Sequence, residues 1–214
     1  MAIIVKIVKL PNAGHFEEFD ALVNEPGVQT TFIESPDQLG RPDLIVLPGT
    51  EKTIPDLEWL RDTGMEASLR DAMSTGALLF GICGGFQMMG RELRDPEHLE
   101  GAAEQAEGLR LFDLDTTFTR DGINEPVRAS AAGGFLPAGT RVVGFEEHGG
   151  RSVLRDGGDA VSLFEQDALG GGSCPLGVAT KDLAVMGTYL HGVLSDPAFR
   201  RALLDHVRAR KKMR

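Results

Sequence analysis

The sequence predicts an α/β fold with a mostly parallel central sheet, helices on both of its faces, and antiparallel strands added at its edge. Over the first half of the chain, short β-branched runs alternate with helical patterns, which is typical of a parallel sheet. Past Asp95 the apolar runs become short and glycines become frequent, which favours antiparallel edge strands. With 214 residues, 42% of them hydrophobic, we expect one domain over 1–214 with a packed core.

The predicted parallel strands and their helices lie in the first half of the chain. Residues 2–8 are rich in Ile and Val, as a buried central strand is, and residues 15–23 carry apolar side chains at helical spacing. Further strands are predicted at 28–33, 43–47 and 77–82, and further helices at 55–61, 65–74 and 84–93.

The second half of the chain contains shorter apolar runs. Strand-like runs lie at 109–114, 141–145, 152–154, 160–164 and 183–190. A helix is predicted over 198–207, because Asp196 is a good N-cap residue and Pro197 suits the first helical position. Residues 170–173, Gly-Gly-Gly-Ser, are interpreted as a flexible loop between edge strands.

Charge and cysteine content narrow the functional classes. Acidic residues outnumber basic ones 32 to 22, and seven of the basic ones fall in the last 17 residues, which leaves an acidic body. Nucleic-acid binding needs a basic face, so we expect no nucleic-acid partner.

The sequence has two cysteines, no secretory signal pattern in its first residues and no apolar run of about 18 residues. These features favour a cytoplasmic protein without membrane insertion.

A candidate nucleophile lies where a predicted strand meets a predicted helix. Gly81-Ile82-Cys83-Gly84-Gly85 has the G-x-nucleophile-x-G form of a nucleophile elbow, with Cys in place of Ser. Such a turn holds the nucleophile in strained backbone geometry and needs small flanking residues. The N-terminus of the following helix favours a thiolate, and free amides at the elbow stabilise an oxyanion. The alternative is a small Cys that packs in a Gly-rich turn.

Two further features complete a catalytic arrangement. His191 ends a strand-like run and is expected at a strand end, where it can serve as general base and acid for Cys83. Gly49 follows another predicted strand, so the amides of Gly49 and Gly84 are expected to form an oxyanion hole. Taken singly, the histidine is also compatible with a structural position, and the glycine with an ordinary strand-to-helix turn.

Three motifs resemble those of the class I glutamine amidotransferases: Leu47-Pro48-Gly49-Thr50, residues 81–90 and Gly187-Thr188-Tyr189-Leu190-His191-Gly192. Within that superfamily they are similar to the cobyric acid synthase type, which also includes cobyrinic acid a,c-diamide synthase. The likeness covers nearly the whole chain, with further matching segments at 9–11, 16–20, 25–28, 49–60 and 91–95. It implies the flavodoxin-like fold of the class I glutamine amidotransferases.

The resemblance also implies a glutaminase mechanism. Cys83 would attack the side-chain amide of L-glutamine and form a γ-glutamyl thioester, and His191 would act as general acid and base. Gly49 and Gly84 would donate the hydrogen bonds that stabilise the oxyanion. The products would be glutamate and ammonia, and no cofactor is needed for this chemistry.

Three residues are candidates for substrate binding on the strength of the resemblance. Gln87, one helical turn beyond the nucleophile, would help to hold glutamine. Residues 144–151 resemble the glutaminase subunit of lipid II isoglutaminyl synthase, in which an arginine after the elbow helix is implicated in glutamine binding. Arg120 is the nearest match to that arginine, and His148 would line the crevice or contact a partner.

The sequence departs from the superfamily pattern at one catalytic position. Many class I glutaminases carry a Glu two residues after the histidine, whereas Val193 occupies that position here. The cobyric acid synthase branch is similar to this sequence in that respect. Either a partner subunit supplies the acid, or a Cys83–His191 dyad suffices.

The remaining expectations concern the partners. No G-x-x-x-x-G-K-[ST] loop occurs, so the ammonia is expected to go to a separate ATP-dependent amide ligase. The favoured acceptor is a corrinoid carboxylate in cobalamin biosynthesis, and the alternative is the stem glutamate of lipid II, with a Mur-ligase-like partner. A non-catalytic ligand-sensing module on the same fold and a cysteine peptidase are competing interpretations.

No metal site is expected from the sequence. His15, His98 and His206 have no acidic or cysteine companions at metal-ligand spacing. Cys174 matches no motif and is interpreted as structural or incidental.

Overall fold

The computed structural model describes residues 2–155, 159–166 and 175–213. In those ranges the strands are β1 (Ile3–Val8), β2 (Val28–Ile33), β3 (Leu44–Leu47), β4 (Leu78–Ile82), β5 (Glu92–Arg94), β6 (Gln105–Glu107), β7 (Leu114–Ala131), β8 (Arg141–Leu154), β9 (Ala160–Ser162), β10 (Phe164–Gln166), β11 (Gly177–Thr180), β12 (Val185–Thr188) and β13 (Leu190–His191). The α-helices are α1 (Asp20–Val23), α2 (Thr53–Asp62), α3 (Met65–Ser74), α4 (Gly84–Met88) and α5 (Pro197–Lys211), and short 3₁₀ helices cover Phe16–Phe19 and Pro36–Gln38.

A seven-stranded sheet in the order β2-β1-β3-β4-β12-β11-β9 forms the centre of the fold. The first five strands are parallel, and β11 and β9 continue the sheet in antiparallel pairing. Strands β3 and β4 are buried along their whole length, as expected for parallel strands covered on both faces. The predicted α/β fold with antiparallel edge strands is thereby confirmed.

Most of the second half of the chain forms a separate sheet, in the order β13-β8-β7-β5-β6, and only β9 and β11 extend the central sheet as antiparallel strands. The long strands β7 and β8 pair with each other, with a register shift between Phe118 and Ile123. Along β8 buried and exposed residues roughly alternate, because this sheet covers the core with one face only. Periodicity alone does not distinguish such a sheet from an extension of the central one.

Several predicted element bounds differ from the structure. The helix predicted over 84–93 ends at Met88, because residues 92–94 form β5 and pair with β6 and β7. The backbone around this change of direction passes close to other segments. A Cβ on Gly90 would lie 2.5 Å from the carbonyl oxygen of Leu114, and one on Gly108 would lie 2.1 Å from that of Gly90. Residues 15–23 form a 3₁₀ turn followed by one α-helical turn, and 109–113 connect elements instead of forming a strand.

The C-terminal helix begins as predicted. Asp196 accepts hydrogen bonds from the amides of Ala198 and Phe199, and Pro197 is the first helical residue. Near its other end Lys211 pairs with the buried Asp43 at 2.7 Å, which fixes part of the basic tail to the body. Among the described helices, none combines the length and apolar character needed to cross a membrane. Cys174 and residues 170–173 lie outside the described residues.

Candidate active site

Cys83 sits in the strained turn that the sequence predicts. It joins β4 to α4 with φ 50° and ψ −112°, a conformation that L-residues seldom adopt. The flanking glycines are required for space, since a Cβ on Gly81 would lie 2.6 Å from the Met89 side chain and one on Gly85 would lie 2.2 Å from the carbonyl oxygen of Leu47. The turn therefore presents the sulfur at the carboxyl edge of the central sheet.

His191 lies beside Cys83 because their strands are neighbours. Strands β12 and β4 are parallel, with Thr188 opposite Ile82, and the amide of Cys83 donates to the carbonyl oxygen of Thr188 at 2.8 Å. The chain then continues through Tyr189 to His191, whose side chain is almost completely buried. The structure thus brings together two residues that are more than a hundred positions apart in sequence.

The charge state of His191 is shifted by its surroundings. Burial lowers the pKa of His191, but interactions with Cys83 and Glu18 outweigh burial and raise the pKa to about 10. The imidazole is therefore held as imidazolium over the physiological pH range, which suits a group that pairs with a thiolate.

Gly49 lies directly against both residues. A Cβ on Gly49 would be 3.0 Å from Cε1 of His191 and 3.5 Å from Cβ of Cys83. Gly84 is the first residue of α4, where a helix amide has no intrahelical acceptor. Both backbone segments lie next to Cys83, and the Gly49 loop is fixed to the elbow by a hydrogen bond from the Gly85 amide to the carbonyl oxygen of Pro48.

A cleft of about 720 Å³ opens over these groups. A cleft of that size is sufficient for a small-molecule ligand. Its walls include Gly14, His15, Gly49, Thr50, Glu51, Thr53, Cys83, Gln87, Leu99, Glu100, Phe118, Thr119, Arg120, Gly122, Ile123, Asn124, Glu147, His148, Gly149 and His191. Six of the seven predicted site residues are in this wall, and Gly84 lies behind it.

Gln87 and Arg120 occupy contrasting positions in the cleft. Gln87 is buried on α4, and its Oε1 accepts a hydrogen bond from Oγ1 of Thr53 at 3.0 Å. Arg120 lies at the rim with three quarters of its side chain exposed, and its Nε donates to Glu97 at 2.7 Å. The cleft therefore carries a fixed amide group from Gln87 and an exposed cation from Arg120.

His148 lines the cleft, but both of its ring nitrogens have protein partners. Nδ1 lies 2.6 Å from the carbonyl oxygen of Gly150, and Nε2 lies 2.8 Å from the carboxylate of Glu146. The ring stacks on Tyr189 with a centroid distance of 3.8 Å. A direct hydrogen bond from this ring to a substrate would require one of these contacts to break.

Glu18, which sequence reasoning did not select, lies next to His191. Its side chain is buried, and its Oε1 is 3.6 Å from Nδ1 of His191. Its Oε2 accepts a hydrogen bond from the amide of Gly192 at 3.4 Å. No local pattern marks this residue, and its place within the matching segment 16–20 is the only sequence feature that points to it.

In the described ranges, no group of three or more His, Cys, Asp or Glu side chains is arranged to hold a metal ion.

A family model and individual relatives of known name match this chain to the same family. A family model described as the CobB/CobQ-like glutamine amidotransferase domain matches residues 4–199. The chain is 38% identical to cobyric acid synthase of Moorella thermoacetica over 213 residues, which is 97% of this chain and 41% of that protein. It is 40% identical to cobyric acid synthase of Pelotomaculum thermopropionicum over 212 residues, or 97% of this chain and 40% of that protein. The chain thus spans about two fifths of the length of these relatives.

Solved structures agree on the fold. The structure of PurLQS from Thermotoga maritima has a chain that matches with a TM-score of 0.72 at 18% identity, covering 98% of this chain and 99% of that one. A glutamine amidotransferase from Thermotoga maritima matches with a TM-score of 0.57 at 16% identity, covering 100% of this chain and 84% of that one. At such low identities these matches show a shared architecture.

Proposed function

We propose that this chain, which belongs to the CobB/CobQ-like glutamine amidotransferase family, hydrolyses L-glutamine to glutamate and ammonia with Cys83 as the nucleophile. The observation that carries the proposal is the strained turn at Cys83 beside the buried His191. The pair faces a cleft large enough for an amino acid. A packing cysteine needs neither the strained backbone nor the basic neighbour.

The reaction follows from the position of each group. The Cys83 thiolate attacks the side-chain amide carbon, and the amides of Gly49 and Gly84 stabilise the oxygen that becomes negatively charged. His191 then donates its proton to the amide nitrogen, the carbon–nitrogen bond breaks, and ammonia leaves a γ-glutamyl thioester. Neutral His191 removes a proton from water, the resulting hydroxide attacks the thioester, and glutamate and the Cys83 thiolate are released.

Substrate binding is assigned to the wall of the cleft. Gln87 is proposed to fix the bound glutamine from the floor, because its amide is immobilised by Thr53. Arg120 is proposed to pair with the substrate carboxylate by exchanging its rim contact with Glu97, since exposed ion pairs are weak. His148 is proposed to shape the wall through its fixed strand, because its ring nitrogens are already occupied.

The ammonia is proposed to be used by an ATP-dependent amide ligase that acts on a corrinoid carboxylate. The support is that the curated relatives are named cobyric acid synthases and that this chain matches about two fifths of their length. The resemblance of residues 144–151 to the lipid II glutaminase subunit makes the stem glutamate of lipid II the alternative acceptor. In either case the ligase partner activates the carboxylate.

The glutaminase proposal is tested by measuring glutamate release from L-glutamine with wild type, Cys83→Ala and Cys174→Ala. Cys174→Ala is the matched control, since it removes the other cysteine of the sequence. We expect the first substitution to reduce release by at least about a thousandfold and the second to leave it unchanged. If the wild type needs its partner for turnover, covalent labelling by a glutamine-like electrophile replaces turnover as the readout. Normal release or labelling in Cys83→Ala overturns the assignment.

The acceptor is tested with amide-¹⁵N glutamine, ATP and a ligase partner. The first reaction contains the synthetase part of a cobyric acid synthase and a corrinoid carboxylate, and the second contains a Mur-ligase-like protein and lipid II. Incorporation of ¹⁵N into the corrinoid alone supports the proposal. Incorporation into lipid II alone assigns the chain to the alternative acceptor.

A further inference from the structure

Two buried polar atoms face each other behind the catalytic pair. In the described part of the chain, the buried side-chain nitrogen and oxygen atoms without a hydrogen-bond partner are Oε1 of Glu18 and Nδ1 of His191. These two atoms are 3.6 Å apart, about half an ångström beyond a normal hydrogen bond. Because buried polar atoms are almost always hydrogen-bonded, the arrangement indicates that Nδ1 of His191 and Oε1 of Glu18 are placed to become hydrogen-bond partners.

The carboxylate of Glu18 is held in place independently of His191. Its second oxygen accepts a hydrogen bond from the amide of Gly192, and its backbone belongs to the 3₁₀ helix Phe16–Phe19. The segment before that helix is fixed to the loop carrying the oxyanion glycine, through a bridge between Ala13 and Thr50. Glu18 therefore reaches the active site on a segment that is anchored to it.

The same segment is anchored a second time through Asp56. The carboxylate of Asp56 accepts hydrogen bonds from the amide and the side chain of Asn12, and from the hydroxyl of Thr50. Asp56 itself is completely buried on α2. Contacts that fix residues 12–13 to the oxyanion loop also restrict where the carboxylate of Glu18 can lie.

The opposite edge of the imidazole faces the nucleophile. His191 interacts with the side chain of Cys83 as well as with that of Glu18, and a Cβ on Gly49 would lie 3.5 Å from Cβ of Cys83 and 3.8 Å from Nε2 of His191. A proton on Nδ1 that is shared with Glu18 leaves Nε2 free to exchange a proton with the sulfur and the substrate. The imidazole thus has the acid and the nucleophile as its two side-chain partners, as the base of a catalytic triad does.

We propose that Glu18 is a positioning residue that orients His191 and stabilises its protonated form, so that the third acid of the site comes from the N-terminal segment of this same chain. The inference rests on the proposed glutaminase function and deepens it. It removes the need for an acid two residues after the histidine, where Val193 stands, or for an acid from a partner.

Among the described residues, titratable side chains face His191 from the elbow and from the N-terminal segment. Cys83 approaches from the elbow, and Glu18 and His15 approach from the N-terminal segment, with a ring centroid distance of 5.7 Å between the two histidines. Glu147 on β8 faces His15 at 4.0 Å, and Phe145 stacks on His191 as an uncharged neighbour. Of these, Glu18 is the acidic group whose carboxylate directly faces the imidazole.

The experiment compares wild type with Glu18→Gln, Glu18→Asp and Glu17→Gln in steady-state glutaminase kinetics over a range of pH. Gln keeps the shape of Glu18 but removes its charge, and Asp keeps the charge on a shorter side chain. Glu17 is the matched control, because it is adjacent on the same helix and its side chain is three quarters exposed. Thermal unfolding of each variant is measured in parallel.

We expect Glu18→Gln to lower kcat by about ten- to a hundredfold with little change in KM, because the imidazole loses its orientation and its charge partner. Removing the carboxylate also lowers the pKa of His191, so the alkaline limb of the pH profile moves to lower pH. Glu18→Asp recovers part of kcat and returns the alkaline limb of the pH profile toward its wild-type position. Glu17→Gln matches the wild type in both kcat and pH profile.

Other outcomes are decisive against the inference. A Glu18→Gln variant with wild-type kcat and an unmoved alkaline limb overturns it while leaving the glutaminase intact. Loss of kcat with an unmoved limb and no recovery in Glu18→Asp indicates a purely structural role, and also overturns it. If turnover needs a partner, the same pH profiles are measured on the rate of labelling of Cys83 by the glutamine-like electrophile. Failure of the Cys83 tests, in contrast, refutes the glutaminase itself.

Discussion

The sulfur of Cys83 lies 3.3 Å from the backbone carbonyl oxygen of Glu147. The cysteine ends a strand of the central sheet, and Glu147 lies on β8 of the second sheet. The two sheets therefore meet at the nucleophile, and the position of β8 determines how much room is left above the sulfur. The neighbouring residue on that strand, His148, has protein partners at both ring nitrogens and stacks on Tyr189.

We predict that His148→Ala destabilises the fold by about 3 kcal/mol and lowers the glutaminase rate. The substitution leaves the carboxylate of Glu146 buried without its partner, and removing one member of a buried pair is costly. It also frees the strand that carries the Glu147 carbonyl. Chemical denaturation measures the free energy of unfolding, and glutamate release measures the rate.

His98→Ala is the matched control, because His98 also faces a glutamate, Glu104, but half of its side chain is exposed. Exposed pairs contribute about 0–1 kcal/mol, so this variant should remain close to the wild type. Equal destabilisation by the two substitutions would show that burial of the His148–Glu146 pair does not matter. The double variant Glu146→Gln/His148→Ala should lose less than the sum of the single losses.

The positions of Cys83 and His191 were predictable because each lies in a short motif near the end of a strand. The elbow needs glycines within two residues of Cys83, and His191 lies three residues after the end of β12, the strand that pairs with the elbow strand β4. Both requirements are local, so they leave a pattern in the sequence. The parallel strands predicted at 2–8, 28–33, 43–47 and 77–82 were recovered for the same reason.

Glu18 and the second sheet were not predictable in this way. Glu18 meets His191 only through the tertiary structure, and nothing in its own segment requires a carboxylate there. The second sheet depends on pairings such as Glu92 with Asp115, whose strands belong to different local patterns. Burial of His148 by Tyr189 and Glu146 is likewise a property of the assembled sheets, so its motif suggested a substrate contact without showing that its nitrogens are occupied.

We predict that Gly49→Ala lowers kcat by roughly ten- to a hundredfold while the protein remains folded. The added Cβ would lie 3.0 Å from Cε1 of His191, closer than side chains normally pack, so the imidazole must move away from Cys83. The backbone amide that is proposed to stabilise the oxyanion is retained, which isolates the effect of crowding. Glutamate release and near-ultraviolet circular dichroism measure activity and folding.

Gly101→Ala serves as the control for adding one methyl group near the cleft. A Cβ there would meet only the Pro55 side chain, at an ordinary distance of 3.7 Å, so kcat should not change. Wild-type activity in Gly49→Ala would mean that His191 has room to relax. The glycine would then be required for some reason other than its contact with the catalytic pair.

Finally, Glu100 should make the stability of the protein depend on pH. Burial raises the pKa of Glu100 to about 7, against smaller opposing effects of the amides of Ile54 and Thr53 and the charge of Lys52. Its carboxylate accepts a hydrogen bond from the amide of Ile54 at the start of α2, where Lys52 offers no side-chain cap. Glu100 thus caps α2 from a distant segment of the chain, and when it is ionised its partly buried charge lowers the stability of the fold.

The direction of the effect follows from the raised pKa. Below pH 4.5 the carboxyl group is protonated in both the folded and the unfolded chain, so its burial as a charge does not lower the free energy of unfolding. Between pH 4.5 and about 7 only the unfolded chain loses the proton, and the folded state becomes progressively less favourable. Above pH 7 the penalty is complete, on the order of 1 kcal/mol once solvent screening is allowed for.

Glu100→Gln should therefore raise the free energy of unfolding at pH 8 relative to the wild type, and do so much less at pH 4.5. The amide oxygen of Gln can still accept from the helix amide, so the cap is preserved. Denaturant unfolding at the two pH values measures the difference, with Glu104→Gln as the control because three quarters of that side chain is exposed. An equal effect of Glu100→Gln at both pH values would contradict the raised pKa of Glu100, since the gain depends on pH only when that pKa differs between the folded and the unfolded chain.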